Sequence, residues 1–301
     1  MNISDLRNRL LSGVTSEEWP ELLDKLDSAG FFSLPEESPE QFAQRLLLLS
    51  GELEKLRSGS SVLGQRTAAL LQLPGENIRE SADLTWAKYR FRAEWIPVWF
   101  SSRETGCLSA GILLEVDRIL PLIFLHGAFA EKKARLGYTA KETLAHEMIH
   151  GVRTAFPESA YDEYFPWQIS RSGFRRALGN LFRKWILPFL FFGGMALSGI
   201  LAALKAAFPE NVSAGTALVP LILPLGVVIR ERILMRRMAK AARNLRLAGL
   251  EAEPLLLRLS DREIFKIAAA DSPGDILLKG NESIRWKMLL KKFRMKDTSN
   301  P

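Results

Sequence analysis

The chain predicts an α+β fold with an apolar helical hairpin appended to it. Three observations predict this. Short apolar, β-branched and aromatic runs cluster between residues 93 and 126. Capped amphipathic helices flank that cluster on both sides. Two long uncharged runs follow, separated by only a few residues. The chain has 301 residues, 47% of them hydrophobic, one Cys, three His and a formal net charge of +7. That apolar content excludes a disordered chain. A single Cys excludes a disulfide framework and any multi-Cys zinc or iron–sulfur cluster. The length allows one or two domains with an ample core.

Residues 1–90 read as a helical N-terminal region. Thr15 and Glu18 have capping-box spacing before a helical run. Ser38 followed by Pro39 places a cap and a first-turn proline before QFAQRLLLL. The stretch from Met1 to Leu11 lacks the apolar core of a secretory signal, so no cleaved leader is expected. In 91–184, the runs AEWIPVWFSS, LSAGILLEV and ILPLIFLHG predict two or three strands. Thr139 and Glu142 then form another capping pair, so a helix starts at Thr139.

Residues 185–229 hold the uncharged runs. Trp185 to Leu204 spans 20 residues and Asn211 to Ile229 spans 19. Each is long enough for a hydrocarbon core of ~30 Å at ~1.5 Å per helical residue. They predict a transmembrane hairpin, with Gly194, Ser198 and Gly199 allowing close approach of the helices. The flanks carry its orientation. Arg171 to Lys184 has five cations and no acid; Arg230 to Arg246 has seven cations against Glu231. Together they exceed the +7 of the whole chain, so the basic balance belongs to the flanks. Both termini are therefore expected in the cytoplasm, in a bacterial inner membrane. Residues 230–301 read as a basic helical C-terminal region, with a capping box at Ser260 and Glu263. The basic stretch has no interleaved aromatic residues, so no nucleic-acid partner is expected.

The chemistry lies in His146-Glu147-Met148-Ile149-His150. Four residues is about one helical turn, so both imidazoles face one way and can share one metal ion. Neutral imidazole suits Zn2+, and Glu147 is placed to act as general base toward water. Leu144, Met148, Ile149 and Val152 supply an apolar back to the same helix.

At these residues the chain resembles the zincin metallopeptidases, over about 50 residues around the motif. The resemblance implies a zinc-dependent peptidase with polypeptide substrates, here cytoplasmic or membrane-near. It also implies an antiparallel edge strand, for which Arg118 to His126 is the candidate, ahead of the motif helix. No His follows His150, so the metzincin extension is absent. In the gluzincin subgroup the third ligand is a Glu on a following helix, and Pro157 suits the start of one. Glu163 is the first choice. Glu158, paired with Asp162, and Glu231 are alternatives. Glu231 enters because some membrane zincins carry a hairpin between motif and third ligand; here Met235 stands where they have Asp. A second resemblance, to peptide deformylases, rests on Gly106-Cys107-Leu108-Ser109 and makes Cys107 a possible thiolate ligand. The G-x-G-x-A-A-x-Q loop of deformylases is missing.

His126, at the end of the candidate strand, either lines a cleft or is a half-exposed structural residue. Tyr161 and Tyr164 are candidate oxyanion donors. Arg153 either faces the cleft or sits solvated at the helix C-terminus. Outside the enzyme class, the remaining reading is a membrane-attached interaction protein with a non-catalytic zincin-like fold.

Overall fold

A computed structural model describes residues 3–107, 109–131, 133–157, 160–179, 186–210, 213–278 and 283–295. The protein is α+β, mostly helical, with one small mixed sheet. It divides into two compact units, Met1–Ser159 with Ala241–Pro301, and Ala160–Lys240.

The first unit opens with α1 (Ile3–Leu11), α2 (Trp19–Ser28), α3 (Pro39–Arg57) and α4 (Val62–Thr67). Ser38 caps α3 through a complete capping box with Gln41, as its spacing predicts. α2 starts at Trp19, later than the Thr15–Glu18 pattern suggests. The Glu18 carboxylate accepts from the Thr15 amide and hydroxyl, which closes a turn, and the helix begins only where Pro20 fits its first turn.

The sheet follows. Its strands are β1 (Leu71–Gln72), β2 (Val98–Phe100), β3 (Gly111–Val116) and β4 (Leu120–Leu125), with α5 (Gly75–Tyr89) and α6 (Ser102–Thr105) between them. The order is β1-β2-β4-β3. β1 and β2 are antiparallel, β2 and β4 parallel, and β3 and β4 antiparallel with Val116 opposite Leu120. β1 falls in the stretch expected to be helical. β4 was the candidate edge strand, yet it lies inside the sheet. All six of its residues are buried, as an unalternating apolar run requires. The edge on that side is β3, whose Ile112, Leu114 and Glu115 are exposed.

After a 3-10 turn at Gly127–Phe129 comes α7 (Ala140–Arg153), which packs on β3, β4 and α5. Its Leu144, Met148, Ile149 and Val152 are buried, as expected of its apolar back.

The C-terminal part of this unit is clamped to its N-terminal part. Arg258, 1% exposed, places Nε 2.8 and 2.9 Å from the two carboxylate oxygens of Asp27. Its Nη1 donates to the Tyr89 and Pro254 carbonyls, and Phe32 and Phe293 lie against the guanidinium. Lys292 adds a second cation 2.9 Å from Asp27.

The second unit holds α8 (Tyr164–Trp167), α9 (Gly173–Leu178), α10 (Ile186–Ala207), α11 (Ala214–Leu218) and most of α12 (Ile222–Leu247). The first unit resumes along α12 and ends with α13 (Ala252–Leu257), α14 (Asp261–Ala269), α15 (Pro273–Leu277) and α16 (Ile284–Lys292).

Among the described residues one helix, Leu187–Ala207, is long and apolar enough to cross a membrane, and only 6% of its apolar window is buried. The second uncharged run differs from expectation. It divides into α11, a 3-10 turn at Val219–Leu221 and the start of α12, so it is not one continuous span. Pro220 and Pro224 lack the amide hydrogen a continuous helix needs there. The expected close approach is present at two of its three residues. A Cβ on Gly194 would sit 2.7 Å from the Pro220 carbonyl oxygen, and the Ser198 hydroxyl donates to the Ala217 carbonyl at 2.5 Å. Gly199 faces open space.

Candidate metal centre

Helix α7 carries the centre. Thr139 caps it, its hydroxyl accepting from the Glu142 amide at 3.2 Å. The buried back faces the sheet, which turns His146 and His150 to the other side. Their rings are 5.0 Å apart centre to centre and both residues are half-buried. Glu147, one position on, is 8% exposed. It lies beside the first residue of β3: a Cβ added to Gly111 would be 3.3 Å from both its Cγ and its Oε1.

Glu163 follows His150 with twelve residues between, at the N-cap position of α8, and is half-buried. His146, His150 and Glu163 are a group that could hold a metal ion. Two imidazole nitrogens and a carboxylate oxygen are a donor set that fits Zn2+. Among the described residues this is the one such group of three.

The other candidates lie elsewhere. Glu158 is outside the described residues. Glu231 is buried in α12 but is not in the group. Nor is Cys107, which is exposed in the turn after α6. Pro157 does not start a helix, since α8 begins at Tyr164. His126 caps the 3-10 turn, its Nδ1 accepting from the Ala128 amide at 3.1 Å, so it has a structural task.

Arg153 is neither solvated nor simply turned to a cleft. It is 4% exposed, with Nη1 donating to the Leu257 and Leu259 carbonyls and the guanidinium over Phe156. The Tyr161 hydroxyl donates to the Leu234 carbonyl at 3.3 Å. Gly111 went unnoticed at the level of sequence. A glycine inside an apolar strand run marks a place where another group comes close, and here that group is Glu147 with Thr143.

No family model, no curated protein and no solved structure matches the chain.

Proposed function

We propose that the protein is a membrane-anchored, zincin-like zinc metallopeptidase acting on cytoplasmic or membrane-near polypeptides. The observation that carries this reading is the pair of imidazoles of His146 and His150, ring centres 5.0 Å apart on the helix that also presents Glu147. His146, His150 and Glu163 would hold Zn2+. The ion would polarise the scissile carbonyl and make water more acidic.

Glu147 accepts the proton of the attacking water and passes it to the leaving amine. Its low exposure keeps bulk water from competing for that proton. The substrate backbone adds to the edge of β3, the strand whose first residue lies beside Glu147. That assignment moves the family's substrate strand from β4 to β3.

Anchoring rests on α10, exposed over nearly all its apolar length. The residues from Ala214 to Ile229 form the return leg, about 24 Å of kinked helical path at ~1.5 Å per residue. Basic residues on both flanks put the two ends of the hairpin, both termini and the metal centre on the cytoplasmic side of a bacterial inner membrane.

The test combines metal analysis of the purified protein with a proteolysis assay. The expected result is one zinc per chain, retained in Glu147→Gln while hydrolysis falls about 10²–10⁴-fold. Glu163→Ala should lose zinc and Glu158→Ala should keep it. A zinc-free protein sinks the peptidase reading. A zinc-loaded protein with no hydrolysis, or with hydrolysis that Glu147→Gln leaves intact, favours the interaction protein instead.

A further inference from the structure

We propose that the exposed face of α12 between Arg232 and Arg243 docks along a layer of anionic phospholipid headgroups. The proposal rests on the membrane-anchored reading and adds the lipid class and the lie of the helix.

α12 changes character at Arg230. Before it, Ile222, Leu223, Leu225 and Ile229 are exposed and uncharged. After it the helix is amphipathic. Glu231, Leu234, Met238, Ala241 and Leu245 are buried at intervals of three and four that mark one face, and Ala242 beside Ala241 widens it. Arg232, Arg236, Lys240 and Arg243 are exposed at intervals of four, four and three. At ~100° per residue these four fall within an arc of roughly 80°, opposite the buried face. The one acid among these turns, Glu231, is on the buried side. Among the described residues none of the four cations has a hydrogen-bond or ion-pair partner, whereas Arg246, next along the chain, pairs with Glu253.

The shape of this stripe selects the occupant. Ile229 and Leu247, 50% and 62% exposed, stand at its two ends. They are five helical turns apart and so point the same way. A row of cations bracketed by outward apolar residues suits a headgroup layer, where guanidinium groups meet phosphate and apolar side chains dip toward the acyl chains. It does not suit nucleic acid, because no aromatic residue interrupts the row. Length matters too. From Arg232 to Arg243 is about 16 Å along the helix, roughly twice the Debye length at physiological salt. A helix standing upright from the bilayer would engage only its first cations, so engaging all four requires α12 to lie along the surface.

The test is hydrogen exchange of the full-length protein in nanodiscs of phosphatidylcholine alone and of an equal mixture with phosphatidylglycerol. In the mixture the amides of residues 230–247 should exchange more slowly by about fivefold per engaged cation. High salt should abolish the difference, and so should the combined variant Arg232→Gln, Arg236→Gln, Lys240→Gln, Arg243→Gln. Equal exchange in both lipids, or a difference that survives in the variant, overturns the proposal. So does protection by a short RNA with none from phosphatidylglycerol.

Carbonate extraction separates this outcome from failure of the anchor. If carbonate releases the wild-type protein from membranes, the anchor reading fails. The stripe is then judged by flotation with phosphatidylglycerol vesicles against phosphatidylcholine vesicles, and equal flotation overturns it.

Discussion

Replacing Gly111 by Ala should uncouple stability from the proposed peptidase activity. The backbone at Gly111 is not in the left-handed region, so alanine fits its φ. Relief of strand glycine entropy alone would stabilise by about 0.5–1 kcal/mol. The new methyl, however, would sit 2.7 Å from Cγ2 of Thr143 and 3.3 Å from Cγ and Oε1 of Glu147. Thr143 is buried and its hydroxyl donates to the Thr139 carbonyl at 2.9 Å, so rotating its methyl away breaks a helix-start hydrogen bond. Overpacking of this kind costs about 1–3 kcal/mol. The net expectation is a loss of about 1–2 kcal/mol, read by thermal unfolding in detergent. Thr143→Ser removes the closest atom and makes room for the methyl. The double variant should therefore recover about 1 kcal/mol relative to the sum of the two singles. The Glu147 contact persists in the double variant. If Glu147 is the base of the proposed peptidase, its displacement by a few tenths of an ångström should cut kcat several-fold, with KM and zinc content unchanged, since 1 Å costs about 10²-fold. Stability would then return while kcat would not. If Gly111→Ala is as stable as wild type, or the two substitutions are simply additive, the packing argument is refuted.

Three further outcomes follow from packing and charge. Asp27→Asn leaves Arg258 and Lys292 facing a neutral partner in a buried site and should destabilise by about 3–5 kcal/mol in thermal denaturation, far more than any exposed ion pair. Burial pushes the Glu263 carboxyl up, but the charge and hydrogen bonds of Arg285 and the bonds from Ser260 outweigh it and hold the carboxyl below its ordinary value. A folded-state value depressed in this way stabilises above the unfolded value of about 4.3, and that stability is lost as pH falls through the folded value. Unfolding midpoints between about pH 5 and 3 should therefore drop more steeply in wild type than in Glu263→Gln. Gly194→Leu should disrupt the packing of α10 on the Pro220 turn, lowering the detergent unfolding temperature by an amount equivalent to about 1–3 kcal/mol, while Gly199→Leu changes little.

What could be read in advance was what acts within one or two turns of chain. His146 and His150 share a face because four residues make a turn, and Thr139 caps the same helix through an atom three residues away. The sheet was half legible. Its strands announce themselves by composition, but their order depends on which run is buried on both sides. LPLIFL is apolar throughout and belongs inside, whereas GILLEV carries Glu115 and belongs at the edge. β1 has two residues and pairs through its backbone, so no side-chain pattern marks it. Arg153 was beyond local reasoning, because the carbonyls that hold it lie more than a hundred residues away. The Asp27–Arg258 pair spans 231 residues. Glu163 falls between these cases. Closing a loop of about a dozen residues costs little more than closing a shorter one, so any acid soon after His150 was admissible as third ligand. Spacing alone could not choose between Glu158 and Glu163. Zinc retention in Glu158→Ala against zinc loss in Glu163→Ala decides between them.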